Sequence, residues 1–229
     1  MFFAPTILSL RARADVFSLC LSTGNAEGHG ETRQRELAQS LSVLGIDEKR
    51  RWVVDHPALQ DNFTAKWDAG VIAKTIRPYI IDNNITTILT FDKQGISQHP
   101  NHVSLPLGAA HLISSLKSST APTTRLFTLV TVPVVPKYTG LLSALLARLD
   151  IVFQRALERL VGLPSSSGVN HQNALAVFVS GINEYIAAIQ AMSAHKSQLE
   201  WFRYLYIGFS RYMWVNEWIE VRPDTGVSV

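Results

Sequence analysis

Thr86-Thr87-Ile88-Leu89-Thr90-Phe91 is the stretch on which the fold assignment depends. β-branched and aromatic residues dominate it, it is six residues long, and it lies between polar segments, which together predict a buried β-strand. A loop from Asp92 to Pro100 follows, and Asn101–Leu116 has the apolar spacing of a helix. The stretch is therefore the strand of a strand-loop-helix unit.

The same alternation continues on both sides of this unit. A helix is predicted at Phe2–Leu10, ahead of the first predicted strand. The other predicted strands are Val16–Leu21, Arg51–Val54 and Arg125–Val132, and the helices between them are Thr32–Leu44 and Trp67–Asn83. Strands joined by helical crossovers form parallel sheets, so we predict an α/β fold with a Rossmann-like parallel sheet between helices. Ligands are then expected at the carboxyl ends of the strands.

The second part of the chain has a different pattern. Residues 1–135 form the predicted α/β core, and residues 136–229 are predicted to be mainly helical within the same single domain, 1–229. Helices are expected at Tyr138–Leu160 and over a long stretch from Ala174 to Trp218, with a Pro/Ser/Gly linker at Leu163–Gly168.

Composition excludes several classes of protein. Of the 229 residues 47% are hydrophobic and 17% charged, so the chain can bury a core and is not a disordered tail. The net charge is only +3, without clustered Lys or Arg, which argues against nucleic-acid binding. No apolar run is long enough to predict a spanning helix, and Arg11 and Arg13 follow the first apolar stretch, unlike the charges of a signal peptide. The single cysteine, Cys20, favours a reducing, cytosol-facing compartment.

The sharpest local motif is His99-Pro100-Asn101-His102, in the loop after the quoted strand. Two imidazoles three residues apart can converge, one as a metal ligand and one as an acid or polarising group. Asp92, at the end of the strand, could fix a histidine tautomer. The alternative is structural: two histidines near a helix start, and an aspartate that caps a turn.

The loop Gly24–Gly30 is a second candidate, because its glycines lead into a helix that carries Arg33. Backbone N–H groups and a guanidinium suit a phosphate. The loop lacks the spacing of known dinucleotide or P-loop motifs, and Arg33 could equally pair with a carboxylate.

Near the C-terminus, apolar residues recur at helical spacing. The stripe consists of Leu199, Phe202, Leu205 or Tyr206, Phe209, and Tyr212 or Met213. This spacing favours a helix packed on the core. The alternative is a face on a membrane surface, suggested by the many Trp, Tyr and Arg residues.

Three segments together resemble the PIG-L de-N-acetylases. They are Leu-Ser-Thr-Gly-Asn-Ala-Glu-Gly at 21–28 with Arg33 and Glu36-Leu37, Thr90-Phe91-Asp92 with Gly95, Ser97 and His99–His102, and Ala191-Met192 with His195, Ser197-Gln198, Trp201–Arg203 and Ser210–Met213. The second segment is the most specific. The third favours this eukaryotic branch over bacterial LmbE-like relatives.

The resemblance implies an LmbE-like fold and zinc-dependent hydrolysis of the N-acetyl group of N-acetylglucosaminyl-phosphatidylinositol, in GPI-anchor biosynthesis on the cytoplasmic face of the endoplasmic reticulum membrane. His102 would then be a zinc ligand, and His99 would stabilise the oxyanion or protonate the leaving amine. Asp92 would orient a histidine, and Arg33 would lie near the polar head of the glycolipid. A membrane surface is an implied partner.

The sequence departs from this family in one respect. The family's principal motif, a strand ending in Ala-His-Pro-Asp-Asp-Glu, supplies two zinc ligands and the catalytic base, and a Met-Phe-Phe-x-Pro sequence follows it. Met1-Phe2-Phe3-Ala4-Pro5 resembles that continuation, while the motif itself is absent. We therefore expect the given chain to lack the first strand and to be an inactive, truncated form. The alternative is a non-catalytic paralogue that serves as a binding or interaction subunit.

Overall fold

The computed structural model describes residues 2–116, 124–161 and 175–221. The predicted linker at Leu163–Gly168 lies outside these ranges. The helices are α1 Ala4–Leu10, α2 Gly30–Val43, α3 Ala69–Asp82, α4 Pro100–Leu116, α5 Val134–Lys137, α6 Leu141–Val161, α7 Ile182–Ser193 and α8 Trp201–Phe209. The strands are β1 Ser18–Cys20, β2 Arg51–Val53, β3 Thr87–Phe91, β4 Arg125–Leu129, β5 Leu175–Val179 and β6 Val215–Val221.

Local sequence explains where several helices begin and end. The Asp68 side chain accepts a hydrogen bond from the Val71 N–H (2.9 Å) and so caps the start of α3. Just beyond the end of α2, Gly45 has φ +84°, which favours glycine. Helices α3 and α4 pack so closely that a Cβ at Gly108 would lie 2.2 Å from the Ile72 Cγ2.

The strands form two sheets among the described residues. β1 and β2 pair in parallel, and a four-stranded sheet has the order β3-β4-β6-β5. β3 and β4 are parallel, with Thr87 beside Arg125, whereas β6 runs antiparallel to both β4 and β5. The predicted α/β class, with parallel strands and covering helices, is confirmed.

The prediction of one long helical stretch from Ala174 to Trp218 is wrong. Leu175–Val179 and Val215–Val221 are strands, and β6 lies between β4 and β5. A run of five apolar residues such as 175–179 does not by itself distinguish a strand from a buried helix turn. Along β6, Val215, Asn216 and Trp218 are all buried, because the strand is central in its sheet.

The predicted core stripe at the C-terminus is wrong for most of α8. Tyr212 and Met213 are buried as predicted, but Phe202, Leu205 and Phe209 are each at least half exposed. Tyr206, the predicted alternative to Leu205, does pack against the core, and Arg203 and Ile207 face the protein beside it. Within the ranges that the structure describes, no helix combines the length and apolar character needed to cross a membrane.

Candidate active site

The loop between β3 and α4 is held in an unusual backbone conformation. Gly95, Ile96 and Gln98 all have positive φ, with Ile96 at +62°. A β-branched residue rarely adopts such a value, and local strain of this kind is frequent at functional sites. Gly95 is required for a second reason, since a Cβ there would lie 2.8 Å from the His102 Cβ.

Asp92 organises this loop. Its Oδ1 accepts hydrogen bonds from the N–H groups of Gln94 and Gly95 (both 3.0 Å) and from the Thr131 hydroxyl (2.6 Å), and its Oδ2 accepts one from the Thr131 N–H (2.7 Å). These bonds tie the loop to the end of β4. The Asp92 side chain thus binds the backbone of the loop and Thr131, and it influences the histidines only indirectly.

His102 lies in the first turn of α4, against the end of β3. Its ring stacks on Phe91 with ring centroids 4.2 Å apart, and its Nδ1 is 3.3 Å from the Gly95 carbonyl oxygen. That carbonyl can only accept, which places the proton on Nδ1 and leaves a lone pair on Nε2. Burial lowers the pKa of His102, so the ring is neutral near pH 7.

His99 is brought to His102 as the spacing predicted, with ring centroids 5.3 Å apart. Its Nδ1 accepts a hydrogen bond from the Asn101 N–H (3.3 Å), which places the ring proton on Nε2. The Nε2 lies 3.8 Å from the Asp61 Oδ1. The carboxylate that faces a histidine in this cluster is therefore Asp61, whereas the sequence pointed to Asp92.

Asp61 is the residue that sequence reasoning missed. It follows the turn Pro57–Leu59 in the connection between β2 and α3, where an Asp-Asn pair is typical of an ordinary loop. Its Oδ1 also accepts a hydrogen bond from the Asn101 side-chain amide (3.0 Å). Its place in the connection that follows the carboxyl end of a predicted strand is the one signal that could have found it.

Arg33 lies at the same end of the molecule. Its Nη1 donates to the Gly24 carbonyl oxygen (2.6 Å) and is 3.9 Å from the Asp61 Oδ2, and its Nη2 pairs with Glu27. Its Nε is buried and has no hydrogen-bond partner among the described residues. The alternative that Arg33 pairs with a carboxylate is confirmed, whereas its place near a polar head group stays a prediction.

The third family segment reaches this end of the molecule through Glu36. The buried Glu36 carboxylate accepts hydrogen bonds from both the N–H and the hydroxyl of Ser197 (both 2.6 Å). His195 comes two residues before Ser197, at the start of the same turn. Its buried Nδ1 lacks a partner among the described residues, and burial lowers its pKa to about 4. Burial and the charge of Arg33 also lower the pKa of Arg203. Helix α2 and the C-terminal segment thus meet beside Arg33.

Ser197→Ala should lower the free energy of unfolding at pH 7 by about 1–2 kcal/mol, because it removes one hydrogen bond to a charged group. Burial raises the pKa of Glu36, but the bonds from Ser197 together with nearby positive charge, including that of Arg33, outweigh burial, so the pKa lies below its ordinary value. The stabilisation is therefore present above the unfolded-state pKa and is lost as pH falls through the folded-state pKa. Urea denaturation at pH 7 and below pH 4 measures both effects.

The matched control for this prediction is Ser193→Ala. Ser193 is exposed at the end of α7, so this change should have no more than about a few tenths of a kcal/mol of effect. If Ser197→Ala lowered the free energy of unfolding by the same amount at both pH values, the result would contradict the role assigned to ionised Glu36.

The chemistry of His102 fits a divalent metal ligand. A neutral ring, an Nδ1–H directed at a backbone carbonyl and a free Nε2 lone pair are what zinc binding by histidine requires. A complete catalytic site normally needs three protein ligands, and within residues 2–116, 124–161 and 175–221 no group of three His, Cys, Asp or Glu side chains is arranged to hold a metal ion. By themselves, the described residues do not assemble a complete set of zinc ligands.

Solved structures share this fold. The zinc-inhibited form of the teicoplanin deacetylase Orf2 superposes with a TM-score of 0.59 at 13% identity, covering 97% of this chain and 94% of that one. The A40926 pseudoaglycone deacetylase Dbv21 gives a TM-score of 0.57 at 11% identity, covering 97% and 92%. The fold is thus that of the LmbE-like deacetylases.

Sequence comparison defines the family more closely. The PIG-L family, described as GlcNAc-PI de-N-acetylase, matches residues 1–113. The N-acetylglucosaminyl-phosphatidylinositol de-N-acetylase of Bos taurus is 37% identical over 94% of this chain and 76% of its own length. The probable enzyme of the same name from Schizosaccharomyces pombe is 34% identical over 93% and 78%. The chain belongs to the PIG-L family of de-N-acetylases.

Proposed function

We propose that this chain is an amide hydrolase that removes the N-acetyl group of N-acetylglucosaminyl-phosphatidylinositol, with water as co-substrate and acetate and the free amine as products. The observation that carries the proposal is the His99–His102 pair, held with defined tautomers at the carboxyl end of β3 in a member of this family. The names of the relatives from Bos taurus and Schizosaccharomyces pombe support the substrate.

The Nε2 of His102 would hold the metal, and the zinc-inhibited deacetylase of the same fold supports a divalent ion. When bound, zinc would polarise the acetyl carbonyl and lower the pKa of a coordinated water. The His-Pro-Asp-Asp-Glu motif that the resemblance assigns to two further ligands and the base does not occur in residues 1–229. That such a segment completes the site stays a prediction.

His99 is suited to donate the proton that the leaving amine must gain. Its Nε2–H is free of any close hydrogen bond among the described residues, and the Nε2 lies 3.8 Å from the Asp61 Oδ1. The same N–H could instead donate to the oxygen that gains charge as the carbonyl is attacked. In either role His99 acts on the substrate, and Asp61 orients it.

Two further residues have supporting roles. Asp92 positions the loop whose Gly95 carbonyl fixes the His102 tautomer, so it acts through the backbone rather than on substrate. Arg33 offers its buried Nε–H, which has no hydrogen-bond partner in the described part of the chain, to the polar head of the glycolipid. The same family assignment supports our proposal that the chain acts in GPI-anchor biosynthesis, at the cytoplasmic face of the endoplasmic reticulum membrane.

The second candidate function is a non-catalytic binding or interaction subunit that keeps the fold. One observation favours it: the part of the chain that the structure describes does not assemble three metal ligands by itself.

The test compares the 229-residue chain with the same chain joined at Met1 to a segment ending in the His-Pro-Asp-Asp-Glu motif. Because a lone imidazole does not retain zinc against water and buffer, we expect the first to be metal-free and inactive. The second should bind one equivalent of zinc and release acetate from N-acetylglucosaminyl-phosphatidylinositol in a chelator-sensitive reaction. Metal analysis and acetate release are measured on both.

The control is a segment of the same length with the acidic residues and histidine of the motif changed to alanine. Stoichiometric zinc and turnover in the 229-residue chain alone would refute the ligand count. Zinc binding without acetate release in the joined chain would favour the binding subunit.

A further inference from the structure

Three helices expose an extensive apolar surface. Ten exposed large apolar side chains fall within residues 134–153, on α5, on the first part of α6 and between them, and five fall within residues 201–209, on α8. The most exposed include Val135 (82%), Phe153 (67%) and Trp201 (73%). We call the surface that these side chains form the apolar face.

The two parts of the apolar face adjoin. The Gly140 N–H, just before α6, donates to the carbonyl oxygen of Phe209 at the end of α8 (2.8 Å). A Cβ at Gly140, whose φ is +48°, would lie 3.1 Å from the Gly208 carbonyl oxygen. The start of α6 and the end of α8 are therefore in backbone contact, and their exposed sides form one surface.

The spacing of the apolar face along α6 is that of a helix packed against other helices. Leu142, Leu145, Leu149 and Val152 follow one another at intervals of three, four and three residues, and each is more than half exposed. Helices that bury a side against a neighbouring helix repeat apolar residues in this way. The opposite side of α6 is already covered, since Ala144 is buried in the core. Helix α6 thus has a second apolar side, which the described residues leave in solvent.

The area of the apolar face matches what a stable dimer needs. Its fifteen side chains, each about half exposed or more, present on the order of 1,000 Å² of apolar surface. The largest apolar patch of a typical monomer is roughly 300–600 Å². A standard protein–protein interface buries about 800 Å² from each partner. A contact between two copies through the apolar face would therefore reach the size of a stable interface.

The charges of these helices favour the same partner. Among α5, α8 and residues 141–153 of α6, the exposed charges are those of Arg148 and Asp150, which offset each other. The Lys137 Nζ is bonded to the Ile96 carbonyl oxygen (2.8 Å), and Arg203 faces the protein. Two copies can therefore approach through this surface without like-charge repulsion. Helices that bind anionic lipid instead carry an excess of Lys and Arg on their polar side.

We propose that the apolar face is the contact through which two copies of this chain form a symmetric dimer. Helices α6 and α8 of one copy would pack on α6 and α8 of the other, so that four helices bury their apolar sides together. In a two-fold contact the same surface is used by both copies, so one continuous face is sufficient. The dimer requires neither metal nor substrate, and the inference is independent of the proposed function.

The test is the mass of the 229-residue chain in solution, measured by light scattering and sedimentation over a range of concentrations. We expect the wild type to change from one copy to two as its concentration rises. Leu149→Asp on α6 and Phe202→Asp on α8 should each raise the Kd of the dimer about 100-fold or more, because each substitution removes an apolar side chain from both copies. Leu149→Ala should weaken the dimer without adding charge.

Ile81→Asp is the matched control, since Ile81 is an exposed apolar residue on α3. It should dimerise like the wild type, and circular dichroism should show all variants folded. A second measurement is the midpoint of thermal unfolding. By mass action this midpoint should rise with the concentration of the wild type, and it should not do so for Leu149→Asp.

Three results would overturn the proposal. The first is a wild type that stays monomeric at every concentration, and the second is a dimer that persists in both Leu149→Asp and Phe202→Asp or is weakened equally by Ile81→Asp. The third is a monomer that floats with phosphatidylcholine vesicles and loses this binding in Leu149→Asp. Because neither zinc nor glycolipid is present, failure here leaves the proposed hydrolysis untouched, and failure of hydrolysis leaves the dimer untouched.

Discussion

His102→Ala should remove both the bound zinc and the deacetylase activity from the chain that is joined at Met1 to a segment ending in the His-Pro-Asp-Asp-Glu motif. The ring supplies an Nε2 lone pair whose availability is fixed by the Nδ1 contact with the Gly95 carbonyl, and an alanine offers nothing in its place. We expect zinc content to fall below about a tenth of an equivalent after dialysis, and turnover to fall by roughly 10³-fold or more, as the site loses its Lewis acid.

His99→Ala separates the two roles of this loop. His99 is assigned to proton transfer or oxyanion stabilisation, so the variant should keep its zinc while its kcat falls by roughly 10²–10⁴-fold. His111→Ala is the control, because His111 is an exposed histidine on the same helix, α4. Full zinc content and full activity in both His102→Ala and His99→Ala would remove this loop from the mechanism.

Asn216→Ala should lower the free energy of unfolding by about 3 kcal/mol or more. The fully buried Asn216 Oδ1 accepts hydrogen bonds from the N–H (3.2 Å) and hydroxyl (2.8 Å) of Thr6, and its Nδ2 donates to the Phe2 carbonyl oxygen (2.9 Å). The side chain thus caps the start of α1 from β6, more than two hundred residues away. Each buried group left without a partner costs about 1–3 kcal/mol.

Asn62→Ala is a close control for that change. The Asn62 Oδ1 also accepts three hydrogen bonds, from the N–H and hydroxyl of Thr64 and from the Ala65 N–H, but the residue is exposed and water can replace them. Thermal and urea denaturation should show a loss several times smaller. A loss below about 1 kcal/mol in Asn216→Ala would contradict the role assigned to this buried network.

Local sequence determined much of the fold and part of the candidate site. β3, its loop and α4 were predictable because strand and helix periodicities are short-range, and Pro100 is favoured in the first turn of a helix. The spacing of His99 and His102 then places them about one helical turn apart, which the structure confirms at 5.3 Å between ring centroids. Their metal and catalytic roles stay predictions.

Tertiary structure decided the pairing of distant elements. The position of β6 between β4 and β5, the cap that Asn216 provides to α1, and the approach of Asp61 to His99 all join residues far apart in the chain. Hydrogen bonds between such residues leave no periodic trace in the sequence, because each partner's local pattern is compatible with many alternatives.

Helix α8 shows the same division most clearly. The sequence determined that Phe202, Leu205 and Phe209 share an apolar side of a helix, since their spacing follows from 3.6 residues per turn. Whether that side is covered depends on how the rest of the chain packs, and here α8 turns Arg203, Tyr206 and Ile207 toward the protein and leaves the apolar side in solvent. Periodicity specifies which residues face the same way, whereas only the packed structure determines what they face.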